Sequence, residues 1–296
     1  MYNSIMVKKC SGTTIRKKTY MGDRKLVKAI IDLSCETIED WAFANCHCLK
    51  EVCLPLTIRE VSEKAFLNCD ALEQVYLYDP ADSASSLTDE AADSLAIAPA
   101  PTKDAVVPLS SLSEAADPAL LATTLKCYPK ETNALIQHAK NEFSFLQYTD
   151  ARLENFLTED DSLGFVPFLA GGEEDYPGED AAAAFRQKRQ FLKVQLIYER
   201  ILSETHGYTM ADGIKEPCIK WLQNHNPSAA FAFLLTETIR RDTYLDLYFT
   251  LELNKDVNIN ELTALAEGQP ELKAKLLRKH LENSPSNKSV FSNLKI

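Results

Sequence analysis

The sequence predicts an α+β multidomain chain, with a short parallel β-solenoid followed by an all-α domain. Three observations carry this. One frame, Ala-Phe-x-Asn-Cys-x-x-Leu, occurs at 42–49 and again at 65–72. The apolar residues preceding each copy alternate with period two, as in a short strand. From about residue 118 the apolar spacing changes to that of amphipathic helices.

The solenoid rests on an offset of 23. Leu49, Val52, Leu54, Ile58, Val61, Ala65, Phe66 and Cys69 form one frame. Leu26, Ala29, Ile31, Cys35, Ile38, Ala42, Phe43 and Cys46 form the frame before it. Leu72, Val75 and Leu77 begin a third, which stops at Asp79-Pro80. Ile15, Thr19 and Tyr20 fall on the Ile38, Ala42 and Phe43 positions as a degenerate first turn. A fixed period of this size marks stacked coils. Strands then stack as a parallel ladder at about 4.8 Å per rung. Ala lets the return path come close, Phe fills the core, and Cys serves as a compact hydrophobe. Asn suits a turn or an unusual dihedral.

Residues 49–69 resemble the BspA-type leucine-rich repeat throughout, including Pro55 after the strand. Residues 26–46 resemble it with Asp32 in place of that Pro and Ala29 in place of a larger residue. The resemblance covers about residues 15–78. It implies a leucine-rich-repeat solenoid used for protein–protein contact. Many such proteins are exported, and MYNSIMVKKCSG lacks the apolar stretch of a signal peptide. A surface-adhesin role is therefore not expected.

In this register the outward strand residues form a grid. Lys28, Ile30 and Asp32 come from the first strand, Glu51, Cys53 and Pro55 from the second, and Gln74, Tyr76 and Tyr78 from the third. Apolar and aromatic residues along the central column, Ile30, Cys53 and Tyr76, suggest a contact surface. The column either meets an external partner or packs on the chain's own C-terminal half. Two full turns are close to the minimum for self-support. Whatever follows residue 78 must close that end.

Residues 79–118 are rich in Ala, Ser, Asp and Pro, with eight acids against one base, and read as an acidic linker. Helices are expected in ALLATTLKCY, KETNALIQHAKNEFSFL and ARLENFL, and as one long, mostly buried helix ending at Gly207. Asn226 is expected to cap SAAFAFLLTETIRR, Asn260 to cap ELTALAEG, and Pro270 to open ELKAKLLRKHLEN. Stacked hairpins of armadillo or ankyrin character are one arrangement that fits such a helical-repeat domain.

The net charge of −11 disfavours general nucleic-acid binding. No apolar run is long enough to span a membrane. Eight cysteines without an export signal read as reduced thiols in the cytoplasm. Residues 1–28 carry eight Lys/Arg against Asp23 alone, and Lys8, Lys9, Arg16, Lys17 and Lys18 form either a solvated cap or an attraction for an anionic partner. Cys46, His47, Cys48 and Cys53 do not read as a zinc site, because Cys46 is a core repeat position. His138, His206, His225 and His280 are scattered, and no catalytic signature is present. The acidic stretch Glu173, Glu174, Asp175, Glu179 and Asp180 lacks calcium-loop spacing and reads as a solvated loop.

The chain is thus read as a cytoplasmic, bacterial adaptor without cofactor or metal. Its parts are a repeat solenoid at 1–78, a linker at 79–118, an α-helical domain at 119–284 and a tail at 285–296. Its partner is another protein, met on the outward strand face, with neither nucleic acid nor membrane involved. The alternative is an enzyme, or enzyme subunit, with an unrecognised site among the helices.

Overall fold

A computed structural model describes residues 6–79, 115–162, 179–206 and 208–283. Seven strands come first: β1 (Met6–Cys10), β2 (Thr14–Ile15), β3 (Leu26–Ile31), β4 (Thr37–Ile38), β5 (Glu51–Pro55), β6 (Glu60–Val61) and β7 (Gln74–Tyr78). They form two wholly parallel sheets, β1-β3-β5-β7 and β2-β4-β6. This is the expected solenoid. The register Lys28↔Glu51↔Gln74 and Ile30↔Cys53↔Tyr76 keeps the 23-residue offset.

Repeated side chains occupy repeated holes. The rings of Tyr20, Phe43 and Phe66 stack with centroids 5.1 and 5.4 Å apart, nearly parallel. Phe43 in the middle is wholly buried. Asn45 and Asn68 both take a left-handed conformation (φ 59° and 58°), and the Asn68 amide donates to Asn45 Oδ1 at 2.8 Å. The first coil has Gly22 at the same position, with φ 72°. Only residues that tolerate positive φ can turn the chain there. Cys46 and Cys69 are buried. Their thiols lie 3.0 and 3.1 Å from the carbonyls of Tyr20 and Phe43. Each is thus a weak donor to the aromatic residue of the previous coil, a role beyond filling space.

One strand escaped the sequence reading. β1 meets β3 at Val7↔Lys28 and Lys9↔Ile30, an offset of 21, with an irregularity at Met6/Val7. The first coil is two residues short, so a 23-residue comparison passes over it.

Nine α-helices follow among the described residues: α1 (Pro118–Cys127), α2 (Thr132–Ala139), α3 (Glu142–Thr158), α4 (Glu179–Leu202), α5 (Asp212–Asn224), α6 (Ala230–Thr236), α7 (Arg241–Thr250), α8 (Ile259–Leu265) and α9 (Pro270–Asn283). The described residues separate into two compact units. One lies within 1–152 and 199–209, the other within 153–198 and 210–296. The first helices therefore belong with the coils, whereas composition placed the division at an acidic linker. Residues 116–118, assigned to that linker, start a helix: Ala116 is buried and Asp117 caps α1 through Ala119 and Leu120 N–H. Residues 80–114 and the tail from 284 lie outside the described residues.

Helices close the last coil. α1 packs beside β7 and α2 beside β6. Strand β6 has no further rung, so the outward backbone groups of the strand and its flanking residues need other partners. Four α2-side residues supply them. Asn133 Oδ1 accepts the Val61 N–H at 3.0 Å. Gln137 donates to the carbonyls of Ile58 and Arg59, and Lys140 to Ile58. Thr132 reaches the Glu63 carbonyl. The same unit holds a buried ion pair: Arg200 grips Asp150 through Nε and Nη2 at 2.7 and 2.8 Å, with Ser203 beside it.

The second unit packs an aromatic core of Tyr198, Phe231, Phe233, Tyr244 and Tyr248, all buried. Lys193 is also buried, its ammonium meeting Asp161 and the carbonyls of Leu157 and Glu159 at the end of α3. Three helix expectations need correction. α4 is buried only over its second half, since residues 183, 184 and 186–188 are exposed. α6 starts at Ala230 without a side-chain cap, and Asn226 instead serves the Tyr248 hydroxyl and Leu253 carbonyl. Asn258, not Asn260, caps α8. Pro270 does open α9.

Candidate functional site

The outer face of β1-β3-β5-β7 is built by alternation. Ala29, Val52, Val75 and Leu77 point into the core and are buried. Their neighbours Lys28, Ile30, Glu51, Cys53, Gln74 and Tyr76 turn outward and are half-buried. β1 adds Val7, 52% exposed, and Lys9 to the same rows. The rows are thus Val7–Lys28–Glu51–Gln74 and Lys9–Ile30–Cys53–Tyr76.

The polar row is internally paired. Lys28 and Glu51 are 2.8 Å apart. Such a half-exposed pair contributes little stability, about 0–1 kcal/mol. The Tyr76 hydroxyl donates to Gln74 Oε1. Burial, then the nearby Glu51 charge, pushes the Tyr76 phenol up to about 12. Burial likewise raises the Cys53 thiol. Neither residue is a nucleophile or base near neutral pH. The row offers shape, apolar area and hydrogen bonds.

The third row, Asp32–Pro55–Tyr78, is different and corrects the sequence reading. Pro55 is buried. The Tyr78 hydroxyl donates to the Ile31 carbonyl. Ile31 lies two strands away, roughly 10 Å at the usual spacing. The ring must cross β5, where Pro55 is its register partner. Asp32 follows the end of β3 and accepts from Ser34 N–H and Oγ–H at 3.0 and 2.8 Å. Those bonds, with Lys9 adding a smaller effect, hold its carboxyl below the usual range. This row closes the face at one end. The six residues of the other two rows are half-buried, and Val7 and Lys9 beside them are exposed.

Among the described residues, the histidines and cysteines form no metal-sized cluster. His138 lies 2.7 Å from Ser144 Oγ and stacks on Tyr148, and His225 contacts the Trp221 carbonyl. Cys46 faces the core, whereas Cys48 is exposed. Cys127 and Cys218 are buried. No metal-sized group of three His, Cys, Asp or Glu occurs among the described residues. Glu173, Glu174 and Asp175 lie outside the described residues. Among those described, no helix is long and apolar enough to cross a membrane.

The family described as BspA type leucine rich repeat region (6 copies) matches residues 13–91, roughly a quarter of the chain. No curated protein and no solved structure matches the chain.

Proposed function

We propose that this chain, which carries a BspA-type leucine-rich-repeat region near its start, is a non-catalytic adaptor that binds another protein through its outer strand face. Repeats of this kind generally mediate protein–protein contact. The observation that carries the reading is the row Lys9–Ile30–Cys53–Tyr76. It is a register-aligned column on a four-stranded ladder, exposed at Lys9 and half-buried at the other three, with an apolar stretch ending in a tyrosine. Tyrosine anchors contacts well because it brings area with few torsions to freeze. The partner is a protein rather than nucleic acid, which a net charge of −11 disfavours, and among the described residues no helix is long and apolar enough to cross a membrane. It acts in the cytoplasm.

The test is comparative capture from the native host with the intact chain, Ile30→Glu and Tyr76→Ser. Both variants should keep the wild-type circular dichroism spectrum and lose the captured protein. Unchanged capture would remove the face from consideration. A collapse in melting temperature for both variants would mean that the column is packing rather than interface.

A further inference from the structure

A second gathering of side chains lies on the return path, away from the strand face. Lys18, Trp41 and Lys64 are spaced by 23 residues and so stack on successive coils. The ammonium groups of Lys17, Lys18 and Lys64 stand 4.5, 5.4 and 5.1 Å from the centroid of the Trp41 ring. The three lysines are exposed and Trp41 is half-buried. None of the three pairs with a described carboxylate within 4 Å. Two acids close by in sequence have partners of their own. Glu39 accepts the Lys17 backbone N–H at 2.8 Å, and Asp40 accepts the Ser62 hydroxyl.

Three like charges around one ring repel each other. The indole quadrupole attracts each of them, but leaves them unneutralised. The backbone holds this crowding in place: Trp41 and Lys18 have φ 56° and 61°. A positive φ is uncommon for any bulky side chain and marks a position worth a functional explanation. Packing does not require it here, because Lys64, at the same position one coil later, does without it.

We propose that the Lys17–Lys18–Trp41–Lys64 corner binds an acidic segment of a partner protein. Carboxylates meet the ammonium groups and the segment's backbone lies along the indole. The spacing suits an extended peptide. Lys18 and Lys64 are two rungs apart, but their ammonium groups converge to 5.4 and 5.1 Å from the Trp41 centroid, within reach of alternate residues on one face of an extended strand, about 7 Å apart. A nucleic-acid backbone fits less well, since it would run past three lysines onto a chain of net charge −11, whereas a short acidic segment can end within the corner. The site is separate from the strand face and stands or falls without it.

Trp41 and Trp221 are the only tryptophans, so the corner contains its own reporter. The intact chain is titrated with hexaglutamate at low salt, following tryptophan emission, with calorimetry on the same sample and Trp41→Phe as reference. A saturable response is expected that is absent in Trp41→Phe and weakens in high salt. The triple variant Lys17→Gln/Lys18→Gln/Lys64→Gln should lose affinity by about tenfold or more while melting as the wild type does. Absence of both heat and emission change overturns the proposal, as does equal binding by the triple variant. Tighter binding of a single-stranded oligonucleotide than of hexaglutamate overturns it in favour of nucleic acid. A salt-dependent shift of Trp41 emission that hexaglutamate cannot compete overturns it in favour of the chain's own acidic residues 79–118.

Discussion

The Tyr78 hydroxyl and the Ile31 carbonyl join the third strand of the repeat to the first, across Pro55. Two tyrosines that look alike in sequence thus differ: Tyr78 donates to a backbone carbonyl two strands away, Tyr76 only to the half-buried Gln74 side chain two residues along. Tyr78→Phe should lower stability by about 0.5–1.5 kcal/mol, the usual net value of an internal hydrogen bond. Tyr76→Phe should stay within roughly 0.5 kcal/mol. Urea unfolding followed by circular dichroism checks both.

The aromatic stack gives a graded series. Phe43 has a ring on each side and no exposure. Phe43→Ala should cost about 3–5 kcal/mol. Phe66 and Tyr20, at the ends of the stack, are half-buried. Their alanine variants should cost clearly less, although Phe66 and Phe43 occupy equivalent sequence positions. Chemical denaturation midpoints would show an equal loss at all three sites if the stacking order were wrong.

Asn45 has two tasks, holding φ near 59° and accepting from Asn68. Glycine performs the first, as Gly22 does in the first coil. Asn45→Ala should therefore be the worse change, by roughly 1–2 kcal/mol relative to Asn45→Gly, the cost of a left-handed Cβ. Thermal melts of the two variants, side by side, measure the gap.

Asn133 satisfies the last outward N–H of the short sheet, at Val61. Asn133→Leu leaves a buried donor unpaired, which costs about 1–3 kcal/mol. The loss should be local as well as global. Amide exchange at Val61 should accelerate, while exchange at Ile38, one rung inward, keeps its protection relative to the new global stability.

Burial, with the neighbouring Cys46 adding to it, pushes the Cys69 thiol up to about 12. An ordinary thiol titrates near 8.5. Between those values the folded state holds a proton that the unfolded chain has lost. Stability is therefore fully present below about pH 8.5 and falls as pH rises towards 12. Melting temperatures measured from neutral to pH 11 should decline. Cys69→Ala should start lower and decline less steeply.

The sequence by itself determined the coils. Like residues at an offset of 23 must fill like holes, so periodicity alone places Phe43 over Phe66, Asn45 over Asn68 and Cys46 over Cys69. Outward and inward strand residues followed from period two. The ends of the solenoid were decided only by tertiary structure. β1 was hidden because its coil is two residues short. The cap at β6 was hidden because Asn133, Gln137 and Lys140 act 72 to 82 residues from the backbone they satisfy. Tyr78 reads as an outward strand residue like Tyr76, and only the position of the Ile31 carbonyl turns it into a tie. Periodicity reports what each residue shares with its equivalents. Interrupted ladders leave unpaired donors and acceptors, and which distant side chain reaches them depends on where the chain returns in space.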